Sequence, residues 1–171
     1  MISRKWIHSI VSCFLCITGV HANIKVGILH SLTGTLAISE KPVVDAIQFA
    51  IDEINANGGV FGHTLEPVVF DGKSDAEVFA QGAKKLIHED KAAVICGRWS
   101  SSSRKKVKPV VENNRIPLLY AVQYEGVEDA SYIVYTGSAP NQQIVPGVVW
   151  GIKNLGKRVY LVGSDYIFPR V

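Results

Sequence analysis

The chain alternates short β-rich runs with segments that carry the periodicity of an amphipathic helix, and this alternation constrains the fold more than any other feature. Residues 24–29 read IKVGIL and predict a buried strand. Residues 42–57 then place apolar side chains at spacings of three and four, with acidic and amide residues on the opposite face. A strand followed by a helix and another strand predicts parallel strands joined by right-handed crossovers.

The same alternation continues along the rest of the chain. Helical spacing recurs over residues 75–90 and about 102–113. Further strands are expected at 65–70, 92–96, 116–122 and 159–162. We therefore predict an α/β fold in which a parallel sheet lies between two helical layers. In such folds, ligands bind at the carboxyl ends of the strands.

Composition and charge argue against a nucleic-acid partner. Hydrophobic residues make up 47% of the 171 residues and charged residues only 19%, which suits a compact domain with a buried core. The formal net charge is +3, and it falls to 16 − 15 = +1 if Arg4 and Lys5 are removed with the N-terminus. A nearly neutral domain has no electrostatic reason to bind a polyanion.

The N-terminus has the pattern of a cleaved secretory signal. Arg4 and Lys5 precede a mostly apolar stretch over residues 6–20, and Ala22 ends the sequence Val-His-Ala where signal peptidase cuts. A membrane anchor is the alternative, but this stretch is shorter than the roughly 20 apolar residues that a span needs. We expect residues 1–22 to be a signal peptide and the mature protein to be periplasmic or extracellular.

Nucleotide-binding motifs are missing from the places where an α/β fold would carry them. The loop after the first predicted strand lacks the G-x-G-x-x-G spacing of a dinucleotide site. The sequence Gly-Lys-Ser at residues 72–74 resembles the end of a P-loop, but Pro67 occupies the position where that motif needs its first glycine. No nucleotide cofactor is expected.

Catalytic and metal-binding patterns are also missing. The histidines are scattered, and no G-x-S-x-G sequence is present. After loss of the signal, Cys96 is the remaining cysteine, and it lies within an apolar run typical of a buried strand rather than beside a histidine motif. We predict a non-enzymatic protein without a cofactor or a metal site.

Small hydrogen-bond donors and aromatic residues cluster after three of the predicted strands. Trp99 is followed by serines at residues 100–103 and then by a helix, so hydroxyl and backbone N–H groups converge at a helix N-terminus. An ordinary N-cap is the alternative explanation, and it would use one of these serines. Tyr120 and Phe168 lie at or just after later strands. Aromatic walls with a few fixed polar groups predict a pocket for a small polar ligand.

Several segments together resemble a known family. They are IKVGILHSLTGTLAISE, AIDEINANGGVFG, GRWSSSSRKKVKPVVE, YAVQYEG, YTGSAPNQQIVP and YLVGSDYIFPR. In order and spacing they resemble the urea- and short-chain-amide-binding branch of the type I periplasmic binding proteins, over residues 24–171. The sequence departs from the pattern at Arg98, where a small or sulfur-containing residue is usual, and at Ala121, which replaces a proline.

The resemblance implies a two-lobed protein that closes on urea or a short amide and delivers it to an ABC permease in the membrane. An alternative is an ectodomain or regulator that senses amides, branched-chain amino acids or a similar small polar ligand. Ser101 would hold the amide, Trp99 and Tyr120 would form walls, and Tyr166 with Phe168 would contribute from the second lobe. The full implied set is Ser31, Thr33, Trp99, Ser100, Ser101, Tyr120, Val122, Gln123, Tyr124, Asp165, Tyr166 and Phe168.

Members of the resembled family are more than twice as long as this chain. We expect residues 23–138 to form the first lobe and residues 139–171 to begin an incomplete second lobe, as in a truncated copy. Residues 141–171 would then be mobile or would dock on the first lobe in a non-native way. Ligand held from one side only is expected to bind in the millimolar range or more weakly.

Overall fold

A computed structural model describes residues 22–165 and 167–170 of the chain. The elements in chain order are β1 Ile24–His30, α1 Ala37–Ala56, β2 Leu65–Asp71, α2 Ala76–His88, β3 Val94–Gly97, α3 Ser101–Asn114, β4 Leu118–Tyr120, β5 Ile133–Tyr135, α4 Ile144–Asn154 and α5 Ile167–Arg170. The predicted signal peptide, apart from Ala22, lies outside the described residues, and so does Tyr166.

The five strands form one parallel sheet in the order β2-β1-β3-β4-β5. β1 lies between β2 and β3, so that Gly27 pairs with Val68 on one side and Ile95 on the other. Because all strands point the same way, the loops that follow them emerge at one edge. That edge carries the turns after β1, β2 and β3 and positions the candidate site.

Helices cover both faces of the sheet, as predicted. On one face, α2 and α3 bury an apolar cluster that includes Leu29, Phe79 and Val107. On the other face, α1 packs Val44 and Ile51 against the alternate side chains of β1. Burial of each such aliphatic side chain stabilises the folded state by about 1.5–3 kcal/mol relative to leaving it exposed to water. The alternation of strands and helices in the sequence therefore gives an α/β fold with a parallel sheet between helical layers.

The prediction of a strand at residues 159–162 is wrong. These side chains are 60–91% exposed, and the segment has no strand geometry. Its β-branched composition favours a strand, but a strand also needs a neighbour to pair its backbone groups. β5, which pairs in parallel with β4, is instead the strand that the sequence pattern did not indicate.

The segment after β5 packs weakly against the rest of the fold. α4 has no buried residue, and Val149 and Trp150 on it are 59% and 60% exposed. α5 contacts α3. In the part of the chain that the structure describes, no helix is both long and apolar enough to cross a membrane.

Candidate functional site

The turn between β3 and α3 has an unusual backbone. Gly97 has φ 148°, and a Cβ atom there would lie 2.2 Å from the Leu29 carbonyl oxygen, so a glycine is required for this close approach. Arg98 follows with φ 87°, a conformation that costs energy for a residue with a side chain. Its backbone N–H donates to the Leu29 carbonyl at 3.0 Å. Trp99 follows in this turn and lies at the carboxyl edge of the sheet.

Arg98, one of the two departures from the resembled family, is fully buried. Its guanidinium carbon lies 5.2 Å from the centre of the Phe79 ring. Burial lowers the pKa of Arg98 to about 9. No described residue accepts a hydrogen bond from its guanidinium nitrogens. Arg98 is not among the residues that line the cavity described below.

Ser100 caps the N-terminus of α3 through hydrogen bonds with Ser103. The Ser100 side chain accepts a hydrogen bond from the Ser103 backbone N–H at 3.3 Å. It also donates to the Ser103 hydroxyl at 2.8 Å, and that hydroxyl donates to the Ser100 carbonyl at 2.9 Å. The N-cap explanation thus accounts for Ser100 and Ser103. The Ser102 hydroxyl lies 3.2 Å from that of Ser100, and the Ser101 hydroxyl accepts from Arg104. The first-turn N–H groups of Ser101 and Ser102 have no acceptor inside the helix.

A cavity of about 490 Å³ opens at the carboxyl edge of the sheet, beside the start of α3. Its lining residues are Thr35, Leu36, Ser74, Trp99, Ser100, Ser101, Ser102, Val122, Gln123 and Phe168. Of the predicted ligand-binding residues, it brings together Trp99, Ser100, Ser101, Val122, Gln123 and Phe168. The lining combines hydroxyl, amide and aromatic groups, and none of the described residues in it carries a charged side chain.

Ser31 and Thr33 shape the rim of this cavity rather than line it. The Ser31 hydroxyl accepts from the Ser74 backbone N–H at 2.9 Å, and the Thr33 hydroxyl donates to Asp71 at 2.7 Å. Burial raises the pKa of Asp71, but hydrogen bonds from Thr33, Lys73 and the loop backbone outweigh burial and lower it overall. The carboxylate therefore stays ionised and fixes the loop that carries Thr35 into the lining.

The other predicted residues lie outside the cavity. Tyr120 is fully buried, and its hydroxyl donates to the Trp99 carbonyl at 3.1 Å. Tyr124 stacks on Tyr135 with a ring separation of 4.1 Å. Asp165 forms an exposed ion pair with Arg170. Tyr120 therefore contacts a lining residue without lining the cavity itself, whereas Tyr124 and Asp165 have their contacts elsewhere.

Sequence reasoning missed Arg104, a fully buried residue of α3. Its Nη2 donates to Glu125 at 2.6 Å and to Glu128 at 2.7 Å, and its Nη1 donates to the Ser101 hydroxyl oxygen at 3.3 Å. Burial lowers the pKa of Arg104, but these carboxylates outweigh burial and raise it overall. The helical spacing from Ser101 through Arg104 to Val107 could have placed all three on the buried face.

Known catalytic arrangements are not assembled around the cavity. Burial raises the pKa of Cys96 to about 11, so its thiol is protonated at neutral pH and is a poor nucleophile. Within residues 22–165 and 167–170, no group of three or more His, Cys, Asp or Glu side chains could hold a metal ion.

Comparison with known proteins identifies the family. The periplasmic binding protein domain matches residues 24–171. The chain belongs to this family. The similar curated proteins include Leu/Ile/Val-binding protein homolog 7 of Brucella abortus (strain 2308), 31% identical over 96 residues, which are 56% of this chain and 24% of that protein. Leu/Ile/Val-binding protein BraC3 of Rhizobium johnstonii is 33% identical over 96 residues, or 56% of this chain and 26% of that protein.

Solved structures agree on the fold of this periplasmic binding protein domain. The branched-chain amino acid transporter substrate-binding protein LivJ of Streptococcus pneumoniae, in complex with isoleucine, has a TM-score of 0.71 and 22% identity, covering 78% of this chain and 39% of LivJ. A solute-binding protein of an ABC transporter from Rhodopseudomonas palustris BisB5, in complex with 3,4-dihydroxybenzoic acid, has a TM-score of 0.70 and 25% identity. That alignment covers 77% of this chain and 36% of the other. These relatives are substrate-binding proteins, and the chain matches well under two thirds of their length.

Proposed function

We propose that this chain belongs to an exported solute-binding protein that captures a small polar ligand and delivers it to an ABC permease. The observation that carries the proposal is the cavity at the sheet edge, where Trp99 and the first turn of α3 meet in a member of the periplasmic binding protein family. The predicted signal peptide at residues 1–22 supports a periplasmic or extracellular location.

The start of α3 is suited to an oxygen atom of the ligand. The first-turn N–H groups of Ser101 and Ser102 carry the partial positive charge of a helix N-terminus. Ser101 lines the cavity, and its hydroxyl oxygen accepts from Arg104 Nη1 at 3.3 Å. A carboxylate or carbonyl oxygen placed here would receive several hydrogen bonds at once, while Trp99 and Val122 provide apolar walls for the rest of the ligand.

An aliphatic amino acid is the first candidate ligand. The curated relatives carry the name Leu/Ile/Val-binding protein, and LivJ was solved with isoleucine. The ligand carboxylate would bind at Ser101 and Ser102, and the branched side chain would contact Leu36, Trp99 or Val122, which line the same cavity.

Urea or a short-chain amide is the second candidate, and the chemistry of the lining favours it. An amino acid also carries an ammonium group, which binding sites usually pair with a carboxylate. The cavity lining provided by the described residues contains no acidic side chain. A neutral ligand would need only the donors of α3 and the side-chain amide of Gln123.

We further propose that residues 23–138 form one lobe and that residues 139–171 begin a second. Phe168, on α5, is the residue from that second segment that reaches the cavity in this structure. Closure of two lobes on the ligand would exclude water and strengthen the hydrogen bonds at Ser101.

Calorimetric titration of the purified chain with L-isoleucine, L-leucine, urea and acetamide tests the proposal. We expect binding of at least one of these compounds and weaker binding by Ser101→Ala. Because binding is expected in the millimolar range, the titration uses ligand on the order of 10 mM or more. Equal affinity for all four compounds, or no binding by any of them at these concentrations, would contradict a specific site. Mass spectrometry of the protein recovered from its native host is expected to find Asn23 as the first residue, and a protein retained in the cytoplasm with Met1 intact would contradict export.

Deletion of the gene separates transport from sensing. A transport protein is required for uptake of the radiolabelled ligand, whereas a sensing protein is required for a transcriptional response to the same ligand. Loss of the response with normal uptake would favour the sensory alternative.

A further inference from the structure

One face of α3 contacts the β4–β5 segment, residues 121–132, which contains no helix or strand. The side chains of this face are spaced four apart along the helix, and they belong to Arg104, Lys108 and Glu112. Lys108 Nζ donates to the main-chain carbonyl of Asp129. Glu112 Oε1 accepts from the backbone N–H of Tyr132 at 3.1 Å. Side chains of α3 therefore hold a segment whose own backbone forms no regular structure.

Arg104 makes the innermost of these contacts. Its Nε and Nη2 donate to Glu128 at 3.0 and 2.7 Å, and the same Nη2 donates to Glu125 at 2.6 Å. The side chains of Arg104, Glu125 and Glu128 are 0%, 4% and 10% exposed. A planar guanidinium group held by two carboxylates has little freedom to rotate. Because Glu125 follows Gln123 by two residues, these bonds restrict where Gln123 can lie in the cavity lining.

The same guanidinium group contacts residues that belong to, or support, two other parts of the lining. Its Nη1 donates to the hydroxyl oxygen of Ser101, which lines the cavity, at 3.3 Å. Its carbon atom lies 4.9 Å from the centre of the Tyr120 ring, and the Tyr120 hydroxyl donates to the Trp99 carbonyl at 3.1 Å. The positions of Trp99, Ser101 and Gln123 thus all depend on groups that Arg104 contacts.

Stability alone is a weak explanation for this buried cluster. The removal of two charges from water costs about as much as their attraction returns, so a buried ion pair is often no more stabilising than apolar residues of the same size. Lys108 lies 3.7 Å from Glu128, so two basic and two acidic side chains form the cluster and their formal charges cancel. The cluster consequently offers little selection of a ligand by charge. Its fixed contacts instead restrict the positions of the groups around it.

We propose that Arg104 is a positioning residue that holds Trp99, Ser101 and Gln123 at fixed separations, and that the cavity consequently selects ligands by length. This inference rests on the proposed function, in which a ligand oxygen binds at the start of α3 and the rest of the ligand extends along the other walls. Fixed walls fit one length of ligand best, whereas mobile walls adapt to several. The selection would apply to short amides and to aliphatic amino acids alike.

Titration with homologous ligands tests the selection by length. The parent chain and Arg104→Lys are each titrated with acetamide, propionamide and butyramide, and with L-alanine, L-α-aminobutyrate and L-norvaline. Arg104→Lys keeps a positive charge beside the two carboxylates but loses the planar fork. In the series that binds, the parent chain should prefer its best ligand over the neighbouring homologues by about 4-fold or more, and Arg104→Lys should reduce this preference below about 2-fold. An equal loss of affinity for every homologue, or a parent chain that binds all homologues equally well, would overturn the proposal.

Arg115→Lys is the matched control, because it makes the same replacement at the exposed C-terminal cap of α3. It should preserve both the affinities and the preference. Thermal unfolding of every variant separates loss of binding from loss of folding. If Arg104→Lys does not fold, Lys108→Met replaces it, because this change releases the Asp129 carbonyl while Glu128 keeps its bonds from Arg104. Lys108→Met should also reduce the length preference, and an unchanged preference in that variant would overturn the proposal.

NMR relaxation of the backbone amides tests the positioning without a ligand. In the parent chain the order parameter of the Gln123 N–H should be about 0.85, as in rigid backbone, and in Arg104→Lys it should fall toward about 0.6. Residues of β1 should have the same values in both chains. A Gln123 N–H that is already mobile in the parent chain, or that is unchanged in Arg104→Lys, would overturn the proposal. A parent chain that binds none of the titrated compounds would instead count against the proposed function, so the two failures are distinguishable.

Discussion

The Tyr120 hydroxyl donates a hydrogen bond to the main-chain carbonyl of Trp99 at 3.1 Å. Tyr120 ends β4, whereas Trp99 lies in the turn between β3 and α3. The bond therefore connects two neighbouring strand ends at the edge of the sheet. Because Trp99 lines the cavity, the position of this wall depends on a residue that does not line it.

Replacement of Tyr120 by phenylalanine should loosen this connection. The variant keeps the ring but loses one hydrogen bond and leaves the Trp99 carbonyl without that donor, so we expect a loss of about 0.5–1.5 kcal/mol in the free energy of unfolding. Urea denaturation followed by circular dichroism measures it. Tyr160→Phe is the control, because Tyr160 is 91% exposed. Equal stability of Tyr120→Phe and the parent chain would contradict the supporting role.

Replacement of Ser101 by alanine should weaken ligand binding without unfolding the domain. One neutral hydrogen bond contributes about 0.5–1.5 kcal/mol, which corresponds to a loss of affinity of about 2- to 10-fold. Calorimetry with the compound that the parent chain binds most tightly provides the measurement. Ser131→Ala, on an exposed loop, should bind like the parent chain. An unchanged affinity for Ser101→Ala would place the ligand away from α3.

The buried pair of His30 and Glu40 should be important for stability. One Glu40 carboxylate oxygen accepts from the Ser31 backbone N–H and contacts His30 Nδ1, both at 2.8 Å. Glu40→Ala leaves the Ser31 N–H and the His30 ring without this acceptor, and a buried polar group left without its partner costs about 1–3 kcal/mol. Chemical denaturation should show this loss, whereas Glu53→Ala on the exposed face of α1 should change stability by less than about 0.5 kcal/mol. Similar stabilities of the two variants would contradict the prediction.

Cys96 should react slowly with iodoacetamide in the folded protein. Burial raises its pKa from 9.0 to about 11, so the thiolate fraction at pH 7.5 is lower by about a factor of 100 than that of the unfolded chain. The folded-state rate should rise with pH up to that value, as long as the fold persists. Peptide mass spectrometry after timed alkylation, with and without denaturant, measures both rates. Equal rates would show that the thiol is accessible and unperturbed.

Much of the sheet could be predicted because its strands are local patterns. β1 and β2 match the predicted segments to within one residue, since apolar runs bounded by polar loops are unambiguous there. β5 has three residues, too short for a periodic signal, and it is defined by its pairing with β4. The segment 159–162 shows the converse, because strand-like composition without a neighbouring strand does not produce a strand.

The site was predictable where it depends on one turn and unpredictable where it depends on distant contacts. The run from Trp99 to Ser101 contains its own donors, wall and helix start, so its presence in the cavity lining follows from the local sequence. The role of Arg104 depends on Glu125 and Glu128, which follow it by 21 and 24 residues and reach it only in the folded chain. A basic residue on a helix ordinarily predicts a solvated face.

The central place of β1 has a consequence for the order of events during synthesis. β1 is the first strand to be made, yet its second neighbour, β3, ends at Gly97, so the sheet cannot close around β1 until more than half of the 171 residues exist. Pairings between distant segments form slowly, because the intervening loop must first be brought together. For the exported protein proposed above, this delay would be an advantage, because a chain must cross the membrane before it folds.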